Sequence, residues 1–130
     1  MTEHPNATLI RRGYAAFSAG DVATLTELIA PDAVQHMPGN NRFSGDHRGV
    51  QEILTMYGQF AEETQGTFRV ELEELYANDD TVVTVYHVTG DRGGEHIDTR
   101  HALVFTMRDG RAVDLLDIAS DPELVDKFWA

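Results

Sequence analysis

Asp117 stands in the run LLDIA, a carboxylate with Leu115, Leu116 and Ile118 as its neighbours. A carboxylate held among apolar groups is a candidate general base or acid near neutrality. His101 opens the apolar run HALVF and shares a strand face with Leu103 and Phe105, so it is a second candidate. His36 in AVQHM and His87 in VYHVT complete the set, His87 with Tyr86 on the opposite face of its strand. An ordinary imidazole titrates at about 6.5, which suits proton exchange near neutral pH. The structural alternatives are a buried ring bonded to a backbone carbonyl at position 101 and an exposed or satisfied loop ring at position 36. Asp114 lies three residues before Asp117 and faces the other side of that strand, so one of the two carboxylates is solvated or at an interface.

Six histidines raise the question of a metal. His96 and His101 are five apart, which on a strand points them to opposite faces, and neither HxH nor HExxH occurs. Neither a metal nor a cofactor is expected. Asp98 and Arg100 share the face opposite His101 and read as an exposed ion pair near a strand end.

The elements that must position these groups are legible from periodicity. Residues 6–19 place Ile10, Tyr14 and Phe17 on one helical face, with Gly20 as a stop. Asp21 is suited to cap a second helix, VATLTELIA, which faces Leu25, Leu28 and Ile29 inward and ends at Pro31. After a short extended piece, AVQHM, a third helix near 47–64 repeats Val50, Ile53, Leu54, Tyr57 and Phe60 at helical spacing. Tyr57 and Phe60 line a pocket or simply fill it. The rest reads as strands: TFRVELEELY, TVVTVYHVT, HIDTRHALVFTM and RAVDLLDIAS, separated by the turns NDD, GDRGGE and RDG. The expectation is one α+β domain over residues 1–130. Three N-terminal helices pack on one face of an antiparallel sheet of about four long strands plus a short edge strand. HALVFTM and AVDLLDIA are apolar on both faces, which points to a second subunit on the outer face.

The stretch QHMPGNNRFSGDHRG, residues 35–49, reads as a loop at the rim of a pocket. Gly39 and Gly45 supply turns, Asn40 and Asn41 bond locally, and Met37 and Phe43 fold over an apolar cavity. Phe128 and Trp129, in the tail, cap an opening or dock on the sheet.

The net charge of -12, from 22 acidic against 10 basic residues, disfavours nucleic acid and anionic lipid as partners. No run reaches the ~18 apolar residues of a membrane span. The N-terminal stretch MTEHPNATL lacks a secretion signal, so the expected location is cytoplasmic. The absence of cysteine removes disulfides and thiol nucleophiles.

AAFSAGDVATLTELIAPDAVQHMPG resembles the opening of the NTF2-like superfamily, in its ketosteroid-isomerase-related, SnoaL-like branch. The helix starting at HRG and the four-strand finish with its DGR turn are similar too, so the resemblance covers nearly the whole chain. It implies a curved sheet wrapped around a long helix to form a cone-shaped pocket, and a homodimer through the outer sheet face. Steroid isomerases carry a base aspartate near Pro38, but Met37 stands at that position here, with His36 one before it. The place of their oxyanion tyrosine falls on Gly13, and Tyr14 is one residue off, a turn of about 100° on a helix. In SnoaL-like polyketide cyclases an aspartate on the last strand abstracts the proton. Asp117 resembles it, although Leu116 stands where a tryptophan often does. Asp98, Arg100 and Asp117 resemble the Asp-Arg-Asp set of limonene-type epoxide hydrolases, with the order of the first pair reversed.

The implied function is a cofactor-free enzyme of isomerase or cyclase type, moving a proton on a small hydrophobic molecule. Asp117 would act as base or acid, and His36 and His101 would assist. Met37, Phe43, Tyr57, Phe60 and His87 are the candidate substrate contacts. The alternatives are a binding protein for a hydrophobic metabolite, an epoxide-hydrolase-like enzyme, and an assembly role.

Overall fold

The computed structural model describes residues 3–130. Helix α1, Pro5–Ala19, starts with Pro5 in its first turn, where a missing N–H leaves no bond unmade, and the His4 ring accepts from the Asn6 N–H. It stops at Gly20, whose φ of 68° is the left-handed conformation that favours glycine. Asp21 caps helix α2, Val22–Leu28, by accepting from the Thr24 N–H. That helix ends before Pro31, because Ile29 is already extended and paired with Ala112. Helix α3, Val50–Glu63, follows Gly49 and buries Val50, Ile53, Met56 and Phe60 on one face.

The strands are β1 (Ile29–Met37), β2 (Gly45–Arg48), β3 (Arg69–Ala77), β4 (Thr81–Arg92), β5 (Glu95–Arg108) and β6 (Arg111–Ala119), and α4 spans Pro122–Phe128. They form one sheet in the order β2-β1-β6-β5-β4-β3. The four-stranded antiparallel meander is present as β3 to β6. The sheet as a whole is mixed, because β1 runs parallel to β6. The edge position differs from the sequence reading. AVQHM lies inside the sheet, and the glycine-rich stretch after it folds back as β2 to make the edge hairpin. α4 is a fourth helix, and its seven residues are too few for periodicity to announce it.

One face of this sheet carries the helices. Along β5, Ile97, Thr99, His101, Leu103, Phe105 and Met107 are buried while Asp98, Arg100 and Thr106 are exposed, the two-residue period of a strand covered on one side. In the β5–β6 pairing a register shift between Thr106 and Met107 resets the alternation, so that Ala112, Leu115 and Asp117 are all buried. The core is deepest where α3 crosses the sheet, with Ile53 fully buried in a cluster with Ala33, Val82 and Leu115.

Ile53→Ala removes three carbons at a site with no solvent to fill the space. The expected loss is about 2–5 kcal/mol of unfolding free energy, read from the urea midpoint at unchanged slope.

Candidate functional site

Helices and sheet enclose a cavity of about 250 Å³. Its walls are mainly apolar, with Ile10 and Phe17 from α1, Phe60 from α3 and Val88, Leu103 and Phe105 from the sheet. Met37, Phe43 and Tyr57 line it as well. So do His101 and Asp117.

Asp117 and His101 meet on adjacent strands. Asp117 is opposite Leu103 in the register, and His101 is opposite Tyr86 on the next strand. The Asp117 side chain is only 6% exposed, and both of its oxygens are engaged. The Tyr86 hydroxyl donates to Oδ1 at 2.5 Å, and His101 Nδ1 donates to Oδ2 at 2.9 Å. The Tyr86 and His101 rings stack at 5.3 Å with 14° between their planes, which holds the imidazole flat against the phenol. Since a carboxylate only accepts, the hydrogen of this bond sits on His101 Nδ1. His101 Nε2 has no hydrogen-bond partner among the described residues, and it is not sealed from the cavity.

Two more phenols face the cavity. Tyr57 donates to Gln35 Oε1 at 2.6 Å, and the Tyr14 hydroxyl lies 2.7 Å from Thr84 Oγ1. Burial pushes all three phenols upward from their ordinary pKa, and for Tyr86 the Asp117 charge adds to that. They remain protonated at any physiological pH.

The structure divides the remaining candidates from this group. His36 points away from the cavity: along β1, Gln35 and Met37 face inward, so the residue between them faces out. There its Nδ1 lies 2.7 Å from Asp46 and its Nε2 2.7 Å from Asp114. His87 is outside for the same reason, since Tyr86 and Val88 face in, and its ring bonds Asp98 at 2.5 Å. Asp98 and Arg100 are also on the outer face, and they pair not with each other but with His87 and Glu73. The sheet therefore separates them from Asp117, and the Asp-Arg-Asp set of an epoxide hydrolase is not assembled. Tyr14 does line the cavity despite its offset, but its hydroxyl is committed to Thr84.

Among the described residues no group of three or more His, Asp or Glu side chains is arranged to hold a metal ion. Nor is any helix long and apolar enough to cross a membrane. Two residues of the site, Tyr86 and Gln35, escape the sequence reading. Each is the strand neighbour of a histidine that drew attention, and the alternation that puts the histidine outside puts them inside.

A model of the SnoaL-like domain matches residues 10–115. The chain belongs to the SnoaL-like family. An uncharacterised protein of Mycobacterium tuberculosis is 37% identical over 131 residues, covering 100% of both chains. The solved structure of Bal32a, from a soil-derived mobile gene cassette, is 39% identical, covers 97% of each chain and superposes with a TM-score of 0.94. A protein of unknown function with a cystatin-like fold from Xanthomonas campestris is 29% identical, covering 96% of this chain and 98% of its own, at a TM-score of 0.89. The fold of the SnoaL-like family is thus shared over nearly the whole length of the chain.

The outer-face cluster makes a pH prediction. Both ring nitrogens of His36 face carboxylates, so the ring is held as an imidazolium, and the hydrogen bonds to Asp114 and then Asp46 raise its pKa. Asp46 is lowered in turn, mainly by its hydrogen bond with His36. For a raised histidine the stability gained is full below the unfolded value of about 6.5 and is lost as pH climbs through the folded value. For the lowered aspartate it is full above about 3.9 and lost as pH falls through the folded value. The melting-temperature gap between wild type and His36→Gln is therefore widest at about pH 5–6, and it closes toward alkaline pH and again toward strong acid. Because the groups are partly exposed, the gap is small and shrinks with salt.

Proposed function

We propose that this protein is a cofactor-free enzyme of isomerase or cyclase type that moves a proton on a small, mostly apolar molecule held in the cavity. The observation that carries this reading is the state of Asp117. Both of its oxygens are engaged by the protein, and the unpartnered basic atom left facing the cavity is His101 Nε2. His101 takes the proton. Asp117 fixes the tautomer and stabilises the imidazolium that forms, and Tyr86 holds Asp117 in place. This proposal differs from the sequence reading, in which Asp117 is the base or acid and His36 and His101 assist. The apolar walls exclude water and strengthen each of these contacts.

The test is uptake of solvent deuterium by a panel of enolisable ketones, followed by NMR. His101→Gln and Asp117→Asn are expected to lower the exchange rate by about 10²–10⁴-fold while ligand still raises the melting temperature. Tyr86→Phe costs less, because it leaves the Asp117–His101 bond in place. Ligand binding without any exchange by the wild type sinks the catalytic reading and leaves a binding protein for a hydrophobic metabolite.

The outer sheet face supports a homodimer. Leu116 and Ile118 are 37% and 47% exposed there. In the register Ala102 is opposite Ile118 and Val85, and Val104 is opposite Leu116 and Val83, giving an apolar stripe across three strands. A stripe of that kind fits a second copy of itself about a twofold axis. Ile118→Asp places a charge in the stripe and is expected to yield monomer in sedimentation velocity, with the helix and strand content unchanged by circular dichroism.

A further inference from the structure

We propose that Gln35 is the oxygen-binding residue of the cavity, and that the substrate is a carbonyl compound whose oxygen rests on the Gln35 amide while the carbon beside it gives its proton to His101. The proposal rests on the proton-transfer reading above and specifies the substrate end of it.

Most polar hydrogens in the cavity are already committed. The Tyr86 hydroxyl donates to Asp117, and the Tyr57 hydroxyl donates to Gln35 Oε1. The Thr84 hydroxyl donates to the Leu103 carbonyl at 3.4 Å, so the Tyr14 hydroxyl donates to Thr84. The His101 Nδ1 hydrogen is on Asp117. Gln35 is different. It is only 4% exposed, and its Nε2 finds one contact, the Met37 sulfur at 3.6 Å. A thioether accepts weakly, and an amide nitrogen carries two hydrogens, so the amide of this cavity-lining residue has a donor to spare. The orientation of the amide is also decided. With Tyr57 donating to one end and a sulfur that cannot donate at the other, the oxygen must be at the tyrosine and the nitrogen at the sulfur.

The placement suits the chemistry. Gln35 is opposite Leu115, and Asp117 lies two residues along the same strand on the same face. From strand rise and spacing, the two backbones are about 8 Å apart. Gln35 and the Asp117–His101 pair thus approach the cavity from neighbouring points on one wall, with room for a planar group between their side chains. When the C–H bond breaks, its proton goes to His101 Nε2 and its electron pair forms the enolate double bond. The negative charge then develops on the oxygen at Gln35 Nε2. Return of the proton from Nε2 to carbon restores the neutral product and the neutral imidazole. Tyr57 is the positioning residue, since its bond to Oε1 fixes the amide and polarises it toward donation.

The probes are 2-tetralone, an enolisable bicyclic ketone labelled with ¹³C at the carbonyl, and tetralin, its hydrocarbon counterpart. On the wild type the ketone is expected to bind more tightly than tetralin, and its carbonyl resonance to move downfield on binding. Gln35→Met keeps the shape and removes the donor. It is expected to cancel the downfield move and to weaken 2-tetralone by about 2–10-fold while leaving tetralin unchanged. Should Gln35→Met fail to fold, Tyr57→Phe leaves the amide present but unheld, and a reduced downfield move is expected. A downfield move that persists undiminished in whichever of these variants folds overturns the proposal, as does equal binding of ketone and hydrocarbon by the wild type. A wild type that shows the carbonyl shift but takes up no deuterium overturns the proton-transfer reading instead, and leaves the oxygen site standing.

Discussion

A carboxyl group inside an apolar cavity needs partners for both of its oxygens, and around Asp117 both are supplied. Leaving such a group unpaired would cost several kcal/mol, comparable to much of a small domain's net stability. Two donors from two different strands meet that demand, a phenol on β4 and an imidazole on β5. The consequence runs outward through the site. Because Asp117 accepts from both, the imidazole has a defined tautomer, the phenol has a defined direction, and three strands are tied together at one level of the sheet. The same bonds leave one ring nitrogen, His101 Nε2, without a hydrogen-bond partner among the described residues.

The helices turn that point of polarity into a site by roofing it with hydrocarbon. α1 contributes Tyr14 and Phe17, and α3 contributes Tyr57 and Phe60, each at the helical spacing that keeps it on the sheet-facing side. Phe17 meets Tyr57 edge-on at 5.3 Å, and Phe60 stacks with Trp129 at 5.4 Å, so ring contacts tie the roof together. Polar atoms within it are paired off with one another, Tyr14 with Thr84 and Tyr57 with Gln35. What remains open to a bound molecule is consequently small in number and fixed in direction. For the proposed substrate, selectivity then follows from shape and from one or two hydrogen bonds rather than from charge.

Much of this is legible in the amino-acid sequence. The turn at Gly20, the cap at Asp21, the inward face of α3 and the four closing strands follow from periods of 3.6 and 2 and from capping chemistry. Asp117 and His101 stand out in the sequence as ionisable groups within apolar runs, but which face of their strands is the inner one is not written there. Phase and pairing are what the sequence does not disclose. In AVQHM and VYHVT the alternation is plain, but nothing local says which parity is the inner one, and the histidine draws the eye from its neighbour both times. The parallel β1–β6 pairing is a contact between residues some eighty apart, and it decides that Gln35 rather than His36 shares a wall with Asp117. The edge hairpin hides in a stretch dense with glycine and asparagine, where loop and tight turn have the same composition.

The same parity also separates two kinds of histidine. On the inner face His101 has one carboxylate partner and, among the described residues, one nitrogen without a partner, the arrangement that the proposed proton transfer uses. On the outer face His36 has a carboxylate at each nitrogen, so both protons are held and none is available for transfer. Reactivity here is a matter of how many partners a ring has and not of the residue type. A base needs to be oriented at one end and unsatisfied at the other. The strand alternation that places Gln35 and Tyr86 inward leaves His101 in that condition for the proposed reaction, and it sends His36 outward between Asp46 and Asp114.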